Sequence, residues 1–216
     1  LARSSGRHAL WGLALAAWPG FLVSMVRDLT EIIQAAFLLG GISAIRANRT
    51  WIAAFLLLLA RLARETAVVA AGAGFLSWLA FRSPDDRRSP AVFLVPIAGY
   101  VIWQAVLAIA WGQAPAIGVR AVIGIPFSGC LGLLGKSLAL GKTDGCQIFA
   151  GPILLTAFLA LAGSVLARST NRFHEKIAFV GYACAAFMFT PRVWGGEEAF
   201  LPAFTEVYLF GTLLLL

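Results

Sequence analysis

The side chains that could do chemistry lie in three short charged segments, each at the end of an apolar run. Every segment contains at least one arginine and one carboxylate. The candidate binding residues are Arg27, Asp28, Glu31, Arg64, Glu65, Arg192, Glu197 and Glu198. Asp28 and Glu31 are three positions apart, so they share a face if their segment is helical. These segments are therefore the first place to look for a binding site.

A guanidinium and a carboxylate in one cavity suit a substrate that carries both a phosphate and a hydroxyl group. Arginine binds phosphate oxygens through a planar fork, and a carboxylate takes the proton of an attacking hydroxyl. The alternative is that the pairs are solvated loop ends or ion pairs that hold helices together. The Arg64–Glu65 pair favours function most strongly, because apolar sequence flanks it on both sides. Glu206 either lines the same cavity or is a lone buried acid kept neutral.

Two other kinds of site are disfavoured by spacing. Gly135-Lys136-Ser137 and Gly141-Lys142-Thr143 resemble the end of a phosphate-binding loop, but the glycine required upstream is replaced by Cys130 or Lys136. Cys130, Cys146 and Cys184 follow no metal-ligand spacing, so we predict small buried thiols. Whether Cys130 and Cys146 pair stays open. No cofactor and no metal site is predicted, and a requirement for a divalent metal stays open.

The composition identifies the solvent around these segments as lipid. Hydrophobic residues make up 60% of the 216 residues, charged residues 12%, and mean hydropathy is +0.86. A soluble domain has about 25% charged residues. The formal charge of +7 would suggest nucleic acid in a soluble chain, but in a membrane protein it first reports orientation. We therefore predict an all-α polytopic transmembrane bundle of about eight spans, with no nucleic-acid partner.

The apolar runs give eight candidate spans. They are Ala9–Val26, Leu29–Ile45, Thr50–Ala63, Thr66–Phe81, Ala91–Trp111, Ile148–Ala167, Phe173–Pro191 and Phe200–Leu216. Residues 82–90 form a polar loop, and residues 112–147 are predicted to form an interfacial or re-entrant segment. Residues 1–216 are thus predicted to be a single transmembrane domain. Because the chain begins at Leu1 and ends in an apolar run, we expect a fragment of a longer protein.

The run from Trp51 to Phe81 is apolar except at Arg61 and Arg64-Glu65-Thr66. As one helix it would be about 46 Å long, against a hydrocarbon core of about 30 Å, with charges at mid-depth. The sequence therefore predicts two short helices that meet at Arg64-Glu65, in a turn that faces a cavity inside the protein.

With that break, the positive-inside rule orients the chain. One set of loops contains Arg3, Arg7, Arg46, Arg49, Arg82, Arg87, Arg88, Arg168, Arg172 and Lys176, with three acidic residues. The opposite set contains seven basic and seven acidic residues. The first set is predicted to be cytoplasmic, so it accounts for the whole net charge of +7. The charged candidate segments then lie on the outer face.

One family resembles the chain over residues 3–81. The run Trp18-Pro-Gly-Phe-Leu-Val-Ser-Met-Val-Arg-Asp-Leu-Thr-Glu31 is followed by a span, a basic turn, an apolar helix and Ala63-Arg-Glu-Thr-Ala-Val-Val69. This pattern resembles bacterial polytopic membrane proteins related to GT-C class glycosyltransferases, which are described as mannosyltransferase-like or cell-surface glycopolymer formation proteins. The resemblance implies a polyprenyl-phosphate-linked sugar as donor and an active site on the periplasmic face.

The resemblance also implies a catalytic aspartate in the first outer loop, which we expect to precede Leu1. Asp28 and Glu31 are then assigned to architecture or acceptor binding. The predicted function is transfer of a sugar from the polyprenyl-phosphate donor to a cell-envelope glycopolymer or glycolipid acceptor, in the bacterial inner membrane and in contact with membrane lipid. The alternative is a non-enzymatic transporter or flippase for a lipid-linked or anionic substrate, with the same arginines along its pathway.

Overall fold

A computed structural model describes residues 13, 17–26, 30–81, 89–112, 123–140, 142–168, 173–194 and 203–215. The described part is mostly helical, which confirms the all-α class. The helices are α1 (Pro19–Val26), α2 (Glu31–Arg46), α3 (Thr50–Ala63), α4 (Val68–Phe81), α5 (Ala91–Trp111), α6 (Ser128–Leu140), α7 (Lys142–Leu166), α8 (Phe173–Phe187), α9 (Pro191–Trp194) and α10 (Thr205–Leu215). A 3₁₀ turn, Glu65–Ala67, connects α3 and α4.

Among the described helices, α5 has the length and apolar composition needed to cross a bilayer. It contains 21 residues, and most of its surface is exposed. Shorter apolar helical stretches cover Thr50–Ala63, Glu65–Ala80, Pro152–Leu166 and Thr205–Leu215.

The long apolar run divides where the sequence predicts a break. Helix α3 ends at Ala63, and Arg64 has an extended backbone with φ −156° and ψ 139°. The 3₁₀ turn follows, and its Ala67 N–H donates to the Arg64 carbonyl at 3.3 Å. Because the extended residue stops the α-helical hydrogen-bond ladder, the charged side chains lie at a helix junction rather than in mid-helix.

Helices α2, α3 and α5 form one packed layer. A tight turn over residues 47–49 joins α2 and α3, and α5 packs against both α3 and α4. The buried side chains of this layer include Leu38, Ala53, Leu57, Ala60 and Phe93. Gly74 of α4 lies against the Phe93 ring, where a β-carbon would collide. Small residues at such crossings allow close helix approach, as is common in membrane bundles.

Helix α10 is the centre of the second layer. Residues from Thr205 to Leu214 are buried except for the partly exposed Tyr208, and α7 and α8 pack against this helix. The core here includes Phe179, Tyr182, Phe210 and Leu213. A helix apolar on all sides is buried in the middle of a bundle. A charged residue on α10, such as Glu206, is therefore held inside the protein.

The predicted interfacial segment contains α6 and part of α7 in the described residues. Gly135-Lys136-Ser137 lies inside α6, so this segment is helical and does not form the loop of a phosphate-binding loop. Cys130 is a partly buried free thiol and Cys184 an exposed one. The prediction of buried thiols is thus wrong for Cys184, because its position faces outward from α8.

Candidate functional site

Four of the eight candidate binding residues can be placed. Glu31, Arg64, Glu65 and Arg192 are described, whereas Arg27, Asp28, Glu197 and Glu198 lie outside the described residues. The structure brings Glu31 to Arg64, and Glu65 lines the same cavity as Arg64. Arg192 lies on α9 and is exposed, and it does not line that cavity. Arg192 therefore does not share this cavity with Arg64.

Arg64 is the centre of the charged cluster. Its Nη1 lies 3.1 Å from Glu31 Oε1 and 3.9 Å from Glu206 Oε1. The two carboxylates are 7% and 3% exposed, and the Arg64 side chain is 24% exposed. Both acids lie in the first turn of their helices, α2 and α10, where the positive end of the helix dipole favours a negative charge. One guanidinium nitrogen is thus shared between two buried carboxylates.

Glu31 and Glu206 differ in how many of their carboxylate oxygens have a hydrogen-bond or ion-pair partner. Ser24 Oγ donates to Glu31 Oε2 at 3.2 Å, so both Glu31 oxygens have partners. For Glu206, the Thr66 hydroxyl donates to Oε1, the same oxygen that faces Arg64. Among the described residues, no hydrogen bond or ion pair engages Glu206 Oε2. Glu31 is therefore fully used by the protein, whereas Glu206 keeps one oxygen available.

A hydrogen-bond chain fixes the position of Glu206 relative to the helix junction. Gln34 Nε2 donates to Thr66 Oγ1 at 3.1 Å, and the Thr66 hydroxyl in turn donates a hydrogen bond to Glu206 Oε1. The Tyr182 hydroxyl donates to the Thr66 carbonyl at 2.9 Å. The Thr66 hydroxyl thereby connects α2 to α10. The chain of hydrogen bonds connects the 3₁₀ turn to three helices, α2, α8 and α10.

A cavity of about 520 Å³ opens beside Glu206. Its polar wall consists of Arg64, Glu65, Thr66, Tyr100, Tyr182 and Glu206. Its remaining wall is apolar and consists of Val68, Val69, Ile123, Ala185, Phe189, Ala203 and Val207. The volume lies within the range of small-molecule sites, and the apolar majority with a few convergent polar groups is typical of them.

The charge of this wall limits what it can hold. Arg64 is positive, whereas Glu65 and Glu206 are negative, which gives a formal charge of −1. Because Arg64 is already paired, a phosphate placed against Glu206 would meet a like charge. A hydroxyl group would instead donate to Glu206 Oε2. The geometry therefore favours a hydroxyl-rich ligand group over a phosphate at this corner. Among the described residues, no group of His, Cys, Asp or Glu could hold a metal ion.

Sequence reasoning did not single out Tyr100 and Tyr182 of the polar wall, nor Gln34, which donates to Thr66. Glu206 was weighed as a cavity residue, and the structure places it there with Thr66 and Arg64 as neighbours, so it is not a lone acid. Tyr100, Tyr182 and Gln34 carried no signal, because single polar residues in apolar helices are common. Only the helix packing brings them to Thr66 and the cavity.

A second buried ion pair lies at the other end of α2. Arg46 Nε and Nη2 donate to the two Glu175 oxygens at 2.9 and 2.8 Å, in a bidentate fork. His174 Nε2 lies 3.7 Å from Glu175 Oε1. Arg46 is the last residue of α2 and Glu31 the first, so the two clusters are about 22 Å apart along the helix. None of the three residues in the second cluster lines the cavity.

Comparisons with known proteins leave this site as the basis for any functional conclusion. No family model, curated protein or solved structure matches the chain.

Proposed function

We propose that this chain is part of a polytopic inner-membrane glycosyltransferase of GT-C type. It transfers a sugar from a polyprenyl-phosphate donor to a cell-envelope glycopolymer or glycolipid acceptor at the periplasmic face. The observation that carries the proposal is Glu206, a buried carboxylate with one oxygen held by Thr66 and one oxygen available in a mostly apolar cavity. The sequence resemblance over residues 3–81 agrees with it.

The cavity combines the two surfaces that such a substrate needs. A lipid-linked sugar carries hydroxyl groups at one end and a hydrocarbon chain at the other. Glu206 Oε2 and Glu65 accept hydrogen bonds from sugar or acceptor hydroxyls, and Val68, Val69 and Ile123 offer apolar contact to the first part of the lipid. A soluble polar substrate would leave these apolar walls unused.

The outer surface and the two charge clusters support the proposed membrane arrangement. Helix α5 carries large apolar side chains that are exposed, including Val101, Ile102 and Ile109. Lipid contact would cover this surface. Arg46 and Glu175 both belong to the predicted cytoplasmic loops, and they meet at one end of the bundle, while Glu31 and Arg64 meet at the other. This supports the proposed eight-span topology with the cavity near the outer face.

In the proposed sugar transfer, the bonds formed and broken are balanced without a cofactor. The acceptor hydroxyl oxygen forms a bond to the anomeric carbon, and the bond between that carbon and the phosphate oxygen breaks. Polyprenyl phosphate leaves with the electron pair, and the hydroxyl proton passes to a carboxylate base. The resemblance implies a catalytic aspartate in the first outer loop. Glu206 then binds and orients a hydroxyl, and Arg64 lies 3.9 Å from its other oxygen.

The proposal is tested by turnover of a polyprenyl-phosphate hexose with the full-length protein in membranes. Arg64→Ala leaves Glu31 and Glu206 without their shared cation, so we expect transfer to fall by about 100-fold. Arg192→Ala is the matched control, because Arg192 is exposed and outside the cavity, and it should keep the wild-type rate. Wild-type turnover in a folded Arg64→Ala protein would remove Arg64 from the site. Absence of any turnover by the wild-type protein would contradict the transferase itself.

A transporter or flippase is the second candidate, and the helix junction at Arg64 favours it. Transport pathways are often lined by helices that are interrupted inside the membrane, and α3 and α4 are interrupted beside the cavity. Movement of a labelled lipid-linked sugar across proteoliposomes without chemical change would favour this alternative. Release of polyprenyl phosphate would favour the transferase.

A further inference from the structure

Arg61 is a buried charge without a salt-bridge partner among the described residues. It lies in the last turn of α3 and is 3% exposed. Its Nε and Nη2 are buried and have no hydrogen-bond partner among the described residues. No carboxylate of the described residues pairs with it within 4 Å, in contrast to Arg46 and Arg64. A buried guanidinium with two idle donors is strongly unfavourable unless something else binds it.

One aromatic ring covers this charge. Arg61 Cζ lies 3.4 Å from the centroid of the Tyr100 ring, in a cation–π contact. The ring face attracts the charge but accepts no hydrogen bond in the plane of the guanidinium, so the two donors stay unsatisfied. Tyr100 also lines the cavity, together with Arg64, Glu65 and Tyr182. Arg61 therefore lies directly behind a side chain of the cavity wall.

The neighbouring arginine shows why Arg61 is the better cation for an anionic ligand. Arg64 is one helical turn further along the chain and is already paired with Glu31 and Glu206. A second anion near Arg64 would compete with both carboxylates. Among the described residues, Arg61 has no carboxylate within salt-bridge distance, and Glu65 acts on it only at longer range. Its guanidinium lies over the Tyr100 ring, which lines the cavity.

We propose that Arg61 and Tyr100 form an anion subsite that adjoins the cavity and takes the phosphate of a lipid-linked phosphate ester. The Tyr100 ring closes the subsite when it is empty and rotates aside when the phosphate binds, which gives Nε and Nη2 their missing acceptors. The inference rests on the proposed function, because it divides the donor into a phosphate at Arg61 and a sugar at Glu206. No bond forms or breaks at this subsite.

The test compares thermal unfolding of the full-length protein in dodecyl maltoside, with and without dodecyl phosphate. Dodecyl phosphate should raise the wild-type Tm, because a ligand that binds only the folded state stabilises it. Arg61→Met should remove this response and weaken the apparent Kd by at least tenfold. Without the ligand, its Tm should equal or exceed that of the wild type, because an uncompensated buried charge has been removed. Arg192→Met is the control and should respond like the wild type.

Two further measurements distinguish a lipid headgroup from free phosphate and test the subsite with a second variant. Inorganic phosphate at the same concentration should give a smaller shift than dodecyl phosphate if the ligand is a lipid headgroup, and an equal shift if it is free phosphate. Tyr100→Ala uncovers Arg61 and should strengthen dodecyl phosphate binding, so it tests the subsite even where Arg61→Met fails to fold. An Arg61→Met protein that binds dodecyl phosphate like the wild type overturns the proposal. So does a Tyr100→Ala protein that binds it more weakly.

Turnover separates the subsite from the proposed function. If the transferase assay fails for the wild type but dodecyl phosphate binding depends on Arg61, the subsite stands and the enzymatic function falls. If Arg61→Met turns over polyprenyl-phosphate hexose with an unchanged KM, the subsite falls and the enzymatic function stands.

Discussion

The two ends of helix α2 use the same residue types for opposite purposes. At one end Arg46 meets Glu175 in a bidentate fork, and at the other end Arg64 meets Glu31 and Glu206 through a single nitrogen. Glu175, like Glu31 and Glu206, is in the first turn of its helix, so the dipole favours every one of these carboxylates. What differs is the cavity, which borders only the Arg64 cluster.

The comparison teaches how to tell an architectural ion pair from a binding site. In the Arg46–Glu175 pair, both carboxylate oxygens are engaged by the same guanidinium, and neither residue lines the cavity. In the Arg64 cluster, Glu206 Oε2 has no described partner and the carboxylate borders an open space. Burial and charge alone would rank the two clusters equally. Unused hydrogen-bonding capacity next to a cavity distinguishes them.

The largest expected effect on stability is at the closed pair. Glu175→Ala leaves the Arg46 charge buried without its bidentate partner, and loss of one member of a buried pair costs about 3–5 kcal/mol. Chemical unfolding in detergent should show this loss. A change in the free energy of unfolding below about 1 kcal/mol would mean that the Arg46–Glu175 pair does not hold the helices together. The contrast between an architectural pair and a binding site would then fail.

Removal of the Thr66 hydroxyl should have a smaller effect, which we expect on both stability and activity. Thr66→Val keeps the side-chain shape but leaves Gln34 Nε2 and Glu206 Oε1 without their shared partner. Leaving buried polar groups unsatisfied costs about 1–3 kcal/mol. We also expect a loss of sugar transfer, since Glu206 is no longer fixed. Thr66→Ser, which restores the hydroxyl, is the matched control and should recover both properties.

Removal of the Tyr182 hydroxyl should have a modest effect. In Tyr182→Phe the ring remains in the core against Phe210, and only the hydrogen bond to the Thr66 carbonyl is lost. A typical net value for one such bond is about 1 kcal/mol. Thermal unfolding measures it, with Tyr208→Phe as a comparison outside the cavity wall. An unchanged Tm would show that the 3₁₀ turn does not depend on this contact.

The smallest effect is expected at Arg192. Arg192→Gln changes an exposed side chain on α9, so stability should change by less than about 0.5 kcal/mol and turnover should stay at the wild-type level. A large loss of turnover would restore the sequence-based prediction that Arg192 belongs to the site. Unfolding and transfer assays on the same preparation check both outcomes.

Sequence reasoning was most successful where a local signal was strong. The bounds Thr50–Ala63 and Ala91–Trp111 agree with α3 and α5, and the break at Arg64 follows from a run too long for one crossing and too charged for mid-depth. The charged pair Arg64-Glu65 also led to the cavity.

The partners in the site could not be predicted in the same way. Thr66 and Glu206 are 140 residues apart, and Tyr182 reaches Thr66 from a third region of the chain. These contacts depend on which helix faces pack together, and apolar sequence gives little direction because nearly every face is apolar. The closed pair between Arg46 and Glu175 was hidden for the same reason, although both residues were assigned to one side of the membrane.

The most direct test of the account is the turnover of polyprenyl-phosphate hexose by full-length Glu206→Gln, measured together with its Tm. The amide retains the shape and still accepts from Thr66, but it removes the negative charge that receives a hydroxyl in the cavity. We predict a loss of transfer of about 100-fold, within the usual range for a group that takes part in proton transfer or orients the reacting hydroxyl, with a Tm within about 2 °C of the wild type. Wild-type turnover in this variant would contradict the claim that the open cluster, rather than the closed one, is the functional site.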